Sequence, residues 1–91
     1  MSVKVRIPTQ LRTLTGGSGE VVVEGSTVGE VLKALDAAHA GFGDRLFDET
    51  GELRRFVNVF LVDEDVRFLD GLATPVADGE TLSIVPAVAG G

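Results

Sequence analysis

Thr27-Val28-Gly29-Glu30-Val31-Leu32-Lys33-Ala34-Leu35-Asp36-Ala37-Ala38-His39 is the stretch on which the fold turns. Thr27 followed three residues later by Glu30 has the form of a capping box. In that motif the hydroxyl accepts from the third helical N–H, and the carboxylate reaches back to the cap. Val28, Val31, Leu32, Leu35 and Ala38 then recur at helical spacing, with Glu30, Lys33, Asp36 and Ala37 on the other side. The spacing predicts a helix from Val28 to about His39, stopping at Gly41, where glycine accepts the backbone angles that end helices. It is the one long amphipathic helix the chain offers. Its apolar stripe needs a surface to cover, and the remaining sequence supplies a sheet.

Upstream, Val3, Val5 and Ile7 alternate with Lys4 and Arg6, the period of a half-buried strand, and Pro8 ends it. Thr9 to Ser18 reads as a loop with a turn at Gly16-Gly17, and Leu11 and Leu14 tuck under the core edge. Glu20 to Glu24 is the antiparallel partner strand. Beyond the helix, Phe42 to Phe47 reads as a short helical turn, with Phe42, Leu46 and Phe47 closing the core's end. A polar loop at Asp48 to Glu52 follows. Arg55 to Val62 reads as the third strand, Asp63-Glu64 as a turn and Asp65 to Phe68 as a short partner strand. Leu69 to Asp78 is irregular, and Asp78-Gly79 turns the chain into a last strand, Thr81 to Val85. The class is α+β: a mixed five-stranded sheet packed on one main helix, with the first and last strands parallel at its centre. That is the β-grasp, or ubiquitin-like, arrangement, and another small α+β fold is the alternative. The expected division is a β-grasp domain over 1–86 and a flexible tail over 87–91, ending in Gly90-Gly91.

Ninety-one residues support one modest core. The chain has no Cys and one His, His39, so thiolate metal sites, disulfides and Ser-His-Asp sets are not expected. No phosphate-binding loop is present either, since Gly16-Gly17 lacks the following lysine and helix. His39 reads as a solvated helix end, Asp63, Glu64 and Asp65 as a tight polar turn, and Arg54-Arg55 as solvated. The charge-alternating start is unlike a signal peptide, and no apolar run approaches a membrane span. A cytoplasmic location is expected, without membrane association. The net charge of −6 argues against nucleic acid and permits docking on a basic protein surface, or serves solubility alone.

The chain's last strand leads through Ala87-Val88-Ala89 to Gly90-Gly91. A carboxylate on an arm poor in side chains fits a narrow channel, and its α-carbon accepts angles closed to other residues. Five residues reach about 17 Å when fully extended. Ordering such an arm costs about 1–2 kcal/mol per residue, so the body must dock elsewhere. If Val57, Val59 and Leu61 face the helix, then Phe56, Asn58, Phe60 and Val62 face outward. Phe60, Asn58 and Val62 are then the candidate docking surface, with Phe60 its anchor. Both alternations are largely apolar, so periodicity leaves open whether Phe60 faces outward or packs on the core.

Several segments resemble the ubiquitin-like sulfur carriers, the group that includes the thiamine-biosynthesis carrier and the small subunit of molybdopterin synthase. They are Ile7-Pro8-Thr9, Thr15-Gly16-Gly17, Arg55-Phe56-Val57-Asn58-Val59, the Asp63 to Phe68 run, Gly71-Leu72-Ala73-Thr74, Ala77-Asp78-Gly79 and Pro86-Ala87-Val88-Ala89-Gly90-Gly91. The Asp63 to Phe68 run and the Pro-Ala-Val-Ala lead-in resemble the actinobacterial branch that serves cysteine biosynthesis. The resemblance implies a protein co-substrate with no cofactor or metal of its own, not an enzyme. It implies that an ATP-dependent E1-like activating enzyme adenylates Gly91 and that sulfide or a persulfide converts it to a thiocarboxylate. Ala87, Val88, Ala89 and Gly90 would enter partner active sites. A pyridoxal-phosphate-dependent cysteine synthase would accept the sulfur, and a zinc metallopeptidase would release the cysteine. Carriers for thiamine, molybdopterin or thiosugars, protein modifiers joined to lysines, and a plain β-grasp binding module share enough of these features to stand as alternatives.

Overall fold

A computed structural model describes residues 2–55 and 57–86. Five strands form one mixed sheet: β1 (Ser2–Arg6), β2 (Glu20–Glu24), β3 (Val57–Leu61), β4 (Glu64–Asp65) and β5 (Thr81–Pro86). Their order across the sheet is β2-β1-β5-β3-β4. β1 and β5 run parallel at the centre, with Val5 beside Leu82. Parallel neighbours need a crossover, and everything from β2 to β4 supplies it.

Helix α1 (Val28–Ala38) lies across one face. It forms where the spacing predicts, and it buries Val28, Val31, Leu32 and Leu35. The stripe meets Val3 and Val5 of β1, Val23 of β2, Val57 and Val59 of β3, and Leu82 and Ile84 of β5. Ala38 is exposed, and Ala34 packs against the core. The cap departs from the expected box. The Thr27 hydroxyl accepts from the Glu30 N–H at 3.2 Å, but the Glu30 carboxylate accepts from the backbone and hydroxyl of Ser26 rather than from Thr27. These two bonds from Ser26 hold the Glu30 carboxyl below the usual carboxylate range.

The short helix α2 (Phe42–Leu46) is the helical turn expected after Gly41, and Phe42 and Leu46 are fully buried. Other segments differ from expectation. Thr9–Thr15 is a 3-10 helix, not a loop, and it places Leu11 in the core with Leu14 packed on it. The partner strand expected at Asp65 to Phe68 is two residues long, and Val66–Phe68 turns into a 3-10 helix. There the Asp65 carboxylate accepts from the Arg67 N–H at 2.9 Å, ending the ladder by capping the turn. β3 begins at Val57 and ends at Leu61, so Arg55 and Val62 are turn residues. Leu69 to Asp78 contains a further 3-10 turn, Gly71–Ala73, and otherwise follows the expected irregular path.

Candidate functional site

Two features of β5 place the candidate site. Its inward residues, Leu82 and Ile84, lock it in the core. Its last residue, Pro86, pairs with Val57, so the chain leaves the sheet beside the start of β3. The five expected tail residues, Ala87, Val88, Ala89, Gly90 and Gly91, lie outside the described residues. What the structure fixes is the platform from which they depart.

That platform is the sheet face opposite α1. Val57 and Val59 point to the core, with Leu61 packed at its margin, as one of the two alternations required. Asn58 and Phe60 therefore face the other way. Asn58 stands beside Val85 and Phe60 beside Ser83, with Asp65 on Phe60's far side. Both are half-buried. Phe60 thus takes a position between the two readings open from the sequence: outside the core cluster, yet partly covered by its strand neighbours. Phe56 lies outside the described residues.

Val62 is displaced from its expected place. It is exposed, as the docking reading requires, but it sits past the end of β3 in the turn to β4. Its φ is +60°, a left-handed conformation that branched residues rarely adopt. Its N–H donates to the Thr81 carbonyl at 3.0 Å, which holds the turn against β5. It therefore lies at the end of the sheet away from Pro86, whereas Asn58 and Phe60 lie on β3, paired with β5, the strand that leads to the tail.

Sequence reasoning missed three further residues, of which Val85 and Arg67 adjoin Asn58 on this face. Val85 is 44% exposed immediately before Pro86. Its facing follows from alternation with Leu82 and Ile84, so the signal was present. Phe68 is 82% exposed, and the assignment of a strand through it hid this. Arg67 reaches back from the 3-10 turn. One guanidinium nitrogen donates to Asn58 Oδ1 at 2.9 Å and the other to the Arg54 carbonyl at 2.7 Å. It ties the β4 side of the sheet to the segment entering β3. Arg54 is in turn half-buried, with its Nε donating to the Asp44 carbonyl, so it is less solvated than expected. Arg55 is exposed, as expected.

His39 caps the end of α1 through its backbone, its N–H donating to the Leu35 carbonyl. The turn between β3 and β4 is made by Val62 and Asp63, one residue earlier than expected, and Glu64 and Asp65 form β4. Among the described residues, no group of three His, Cys, Asp or Glu side chains is placed to hold a metal ion. No helix among them is long and apolar enough to cross a membrane.

These features agree with what known proteins show. The sulfur carrier protein CysO of Mycobacterium tuberculosis is 52% identical over the whole of both chains. The structure of an Amycolatopsis orientalis BexX/CysO complex contains a chain 53% identical to this one. The two superpose with a TM-score of 0.92 over 98% of this chain and 99% of that one. Small archaeal modifier protein 3 of Haloferax volcanii is 43% identical over 77% of this chain and 75% of its own length. The chain matches the ThiS family over residues 5–91, and with a parallel β1–β5 centre, one crossing helix and a last strand that feeds the C-terminal segment, it belongs to that family.

Proposed function

We propose that this protein is a sulfur carrier serving cysteine biosynthesis, with Gly91 as the residue that bears the sulfur. The observation that carries the reading is the match to CysO along the whole of both chains, which brings the sheet and the diglycine segment into one frame. An ATP-dependent activating enzyme of the E1 type transfers AMP to the Gly91 carboxylate and releases pyrophosphate. A carboxylate is a poor electrophile, and the adenylate supplies the leaving group. A sulfide equivalent then attacks the acyl carbon, AMP departs, and a thiocarboxylate remains.

The sulfur adds next to an aminoacrylate held by a pyridoxal-phosphate-dependent enzyme. An S-to-N acyl shift leaves cysteine amide-linked to Gly91, and a zinc metallopeptidase hydrolyses that bond. The carrier contributes no catalytic group. Its part is to present Ala87, Val88, Ala89, Gly90 and Gly91 from a rigid sheet and to dock through Asn58 and Val85 beside the tail's departure point and through Phe60 further along the same face. Val62 serves the far margin of that surface. The partners are soluble enzymes of the cytoplasm.

The test is intact-protein mass spectrometry after incubation with the activating enzyme, ATP and a sulfur donor. The expected result is a gain equal to one oxygen replaced by sulfur, localised to the peptide ending at Gly91. Removing Gly91, or extending the chain past it, abolishes the gain and leaves Tm unchanged. An unchanged mass in the presence of an enzyme competent on a relative refutes the proposal. The kinship with small archaeal modifier protein 3 favours a second reading, attachment to lysines of other proteins. A ladder of higher-mass adducts in cell lysate supports it.

A further inference from the structure

Net charge hides a strong polarity in this molecule. β1 and β5 run in the same direction, so the Arg6 end of β1 lies at the Pro86 end of β5. β3 runs the other way and begins at that end, at Val57, two residues after Arg55. Arg67 is tied there by its bonds to Asn58 and to the Arg54 carbonyl. Arg12 is held there by donating to the Ile7 carbonyl at 3.1 Å. The carboxylate that the strands place at this end is Glu20, 3.9 Å from Arg6; off the strands, the Asp48 carboxylate feels the charge of Arg54, and Glu52 and Asp70 line one groove with Arg67.

The opposite end is acidic. Glu24 pairs with Ser2, Glu64 pairs with Leu61, and Asp63 sits in the same turn. Asp78 accepts from the Ser2 N–H, and the Glu80 carbonyl accepts from the Lys4 N–H. Lys4 is the basic side chain on the strands nearest this end. The Pro86 end of the sheet and the segments joined to it therefore carry Arg6, Arg12, Arg54, Arg55 and Arg67, partly offset by Glu20, Asp48, Glu52 and Asp70, whereas the other end carries carboxylates with Lys4 beside them.

We propose that the arginines around the departure point dock on an acidic protein surface that rims the mouth of the activating enzyme's tail channel. The inference rests on the carrier reading and names the chemistry of its partner surface. Distance assigns the role. A five-residue arm reaches about 17 Å when extended, against a Debye length of about 8 Å at physiological ionic strength. Charges at the arm's root are screened from a reacting group at its tip, so they act on the rim and not on the adenylate. Complementary polarity sets orientation as well as rate: the carboxylate end is repelled from the same rim, so encounters that present the wrong end of the sheet are disfavoured. Arg55 and Arg67 form no ion pair within 4 Å among the described residues, and the two bonds that Arg67 donates go to neutral oxygens, so neither charge is neutralised by a direct partner there.

The experiment measures kcat/KM of thiocarboxylate formation for two double variants that change net charge equally and oppositely. For Arg55→Glu with Arg67→Glu, the expected result at about 0.05 M salt is a loss of about tenfold or more, carried by KM. The loss shrinks as salt approaches about 0.5 M. For Asp63→Lys with Glu64→Lys, the expected change is within about twofold. Because Arg67 also ties the β3 segment, Arg55→Glu alone is measured beside the pair and moves in the same direction. Arginine variants equal to wild type, or a larger loss in the Asp63/Glu64 pair, overturn the proposal; the latter identifies a basic rim. A wild-type chain left uncharged by an enzyme competent on a relative refutes the carrier reading instead.

Discussion

Replacing Phe60 with alanine separates docking from folding. Fully burying a phenylalanine is worth about 1.5–3 kcal/mol, and sealed core positions lose about 3–5 kcal/mol on truncation because a cavity remains. Phe60 is half-buried on the face opposite α1, between Ser83 and Asp65, and it is not part of the core cluster. Its loss leaves an open groove, not a sealed void. The stability cost is then about 1.5 kcal/mol, a fall in Tm of about 6–12 °C for a domain of this size. An aromatic anchor desolvated at an interface contributes about 2 kcal/mol or more to binding. That corresponds to a loss of about thirtyfold in kcat/KM for thiocarboxylate formation. Thermal melts by circular dichroism give the first quantity. Initial rates at a temperature where both proteins are fully folded give the second. Alanine is preferable to aspartate here, because a carboxylate opposite Asp65 would add like-charge repulsion. A stability loss of about 3–5 kcal/mol with unchanged kcat/KM would refute the reasoning and assign Phe60 to the core.

Gly25→Ala is expected to destabilise the fold without touching the docking face. An added Cβ would lie 2.8 Å from both Cγ2 and the backbone nitrogen of Val31, so the start of α1 must shift. The expected cost is about 1–3 kcal/mol, read as a lower urea midpoint with kcat unchanged for the folded fraction. Acid should weaken the helix entry. The Glu30 carboxyl is held below its ordinary value by the Ser26 backbone and hydroxyl, so its contribution is present at neutral pH and disappears as pH falls through its lowered pKa. Glu30→Gln should therefore be less stable than wild type at pH 7, with the difference vanishing well below about pH 4. A constant gap from pH 7 to pH 3 in urea titrations would show that charge is not what Glu30 contributes.

The elements with a clear period were legible from the residues alone. Val3, Val5 and Ile7 marked one face, Val28 to Leu35 gave the helical stripe, and Glu20–Glu24 was delimited correctly at both ends. The parts that failed share one cause. Val59 to Val62 and Val66 to Phe68, on either side of the acidic run, both suit strands, so propensity could not locate where the ladder stops. It stops because Val62 turns with positive φ and because the Asp65 side chain takes the Arg67 N–H. The Glu30 carboxylate has two reachable donors within one turn, and spacing does not choose between Ser26 and Thr27.

The same division holds for the site. The sequence by itself determined the parallel β-grasp frame, the diglycine segment and the pairing of Asn58 with Phe60 on one face of a strand. These are consequences of local period and chain order, which a linear reading contains. Only the tertiary structure decided that Phe60 is half-covered, that Val62 belongs to the far end of the sheet, and that Arg67 reaches Asn58 beside the last strand. It alone gathered Arg6, Arg12, Arg54, Arg55 and Arg67 around one end of a chain whose total charge is negative. The reason is physical: exposure and field depend on which distant segments pack side by side, and a summed charge carries no position.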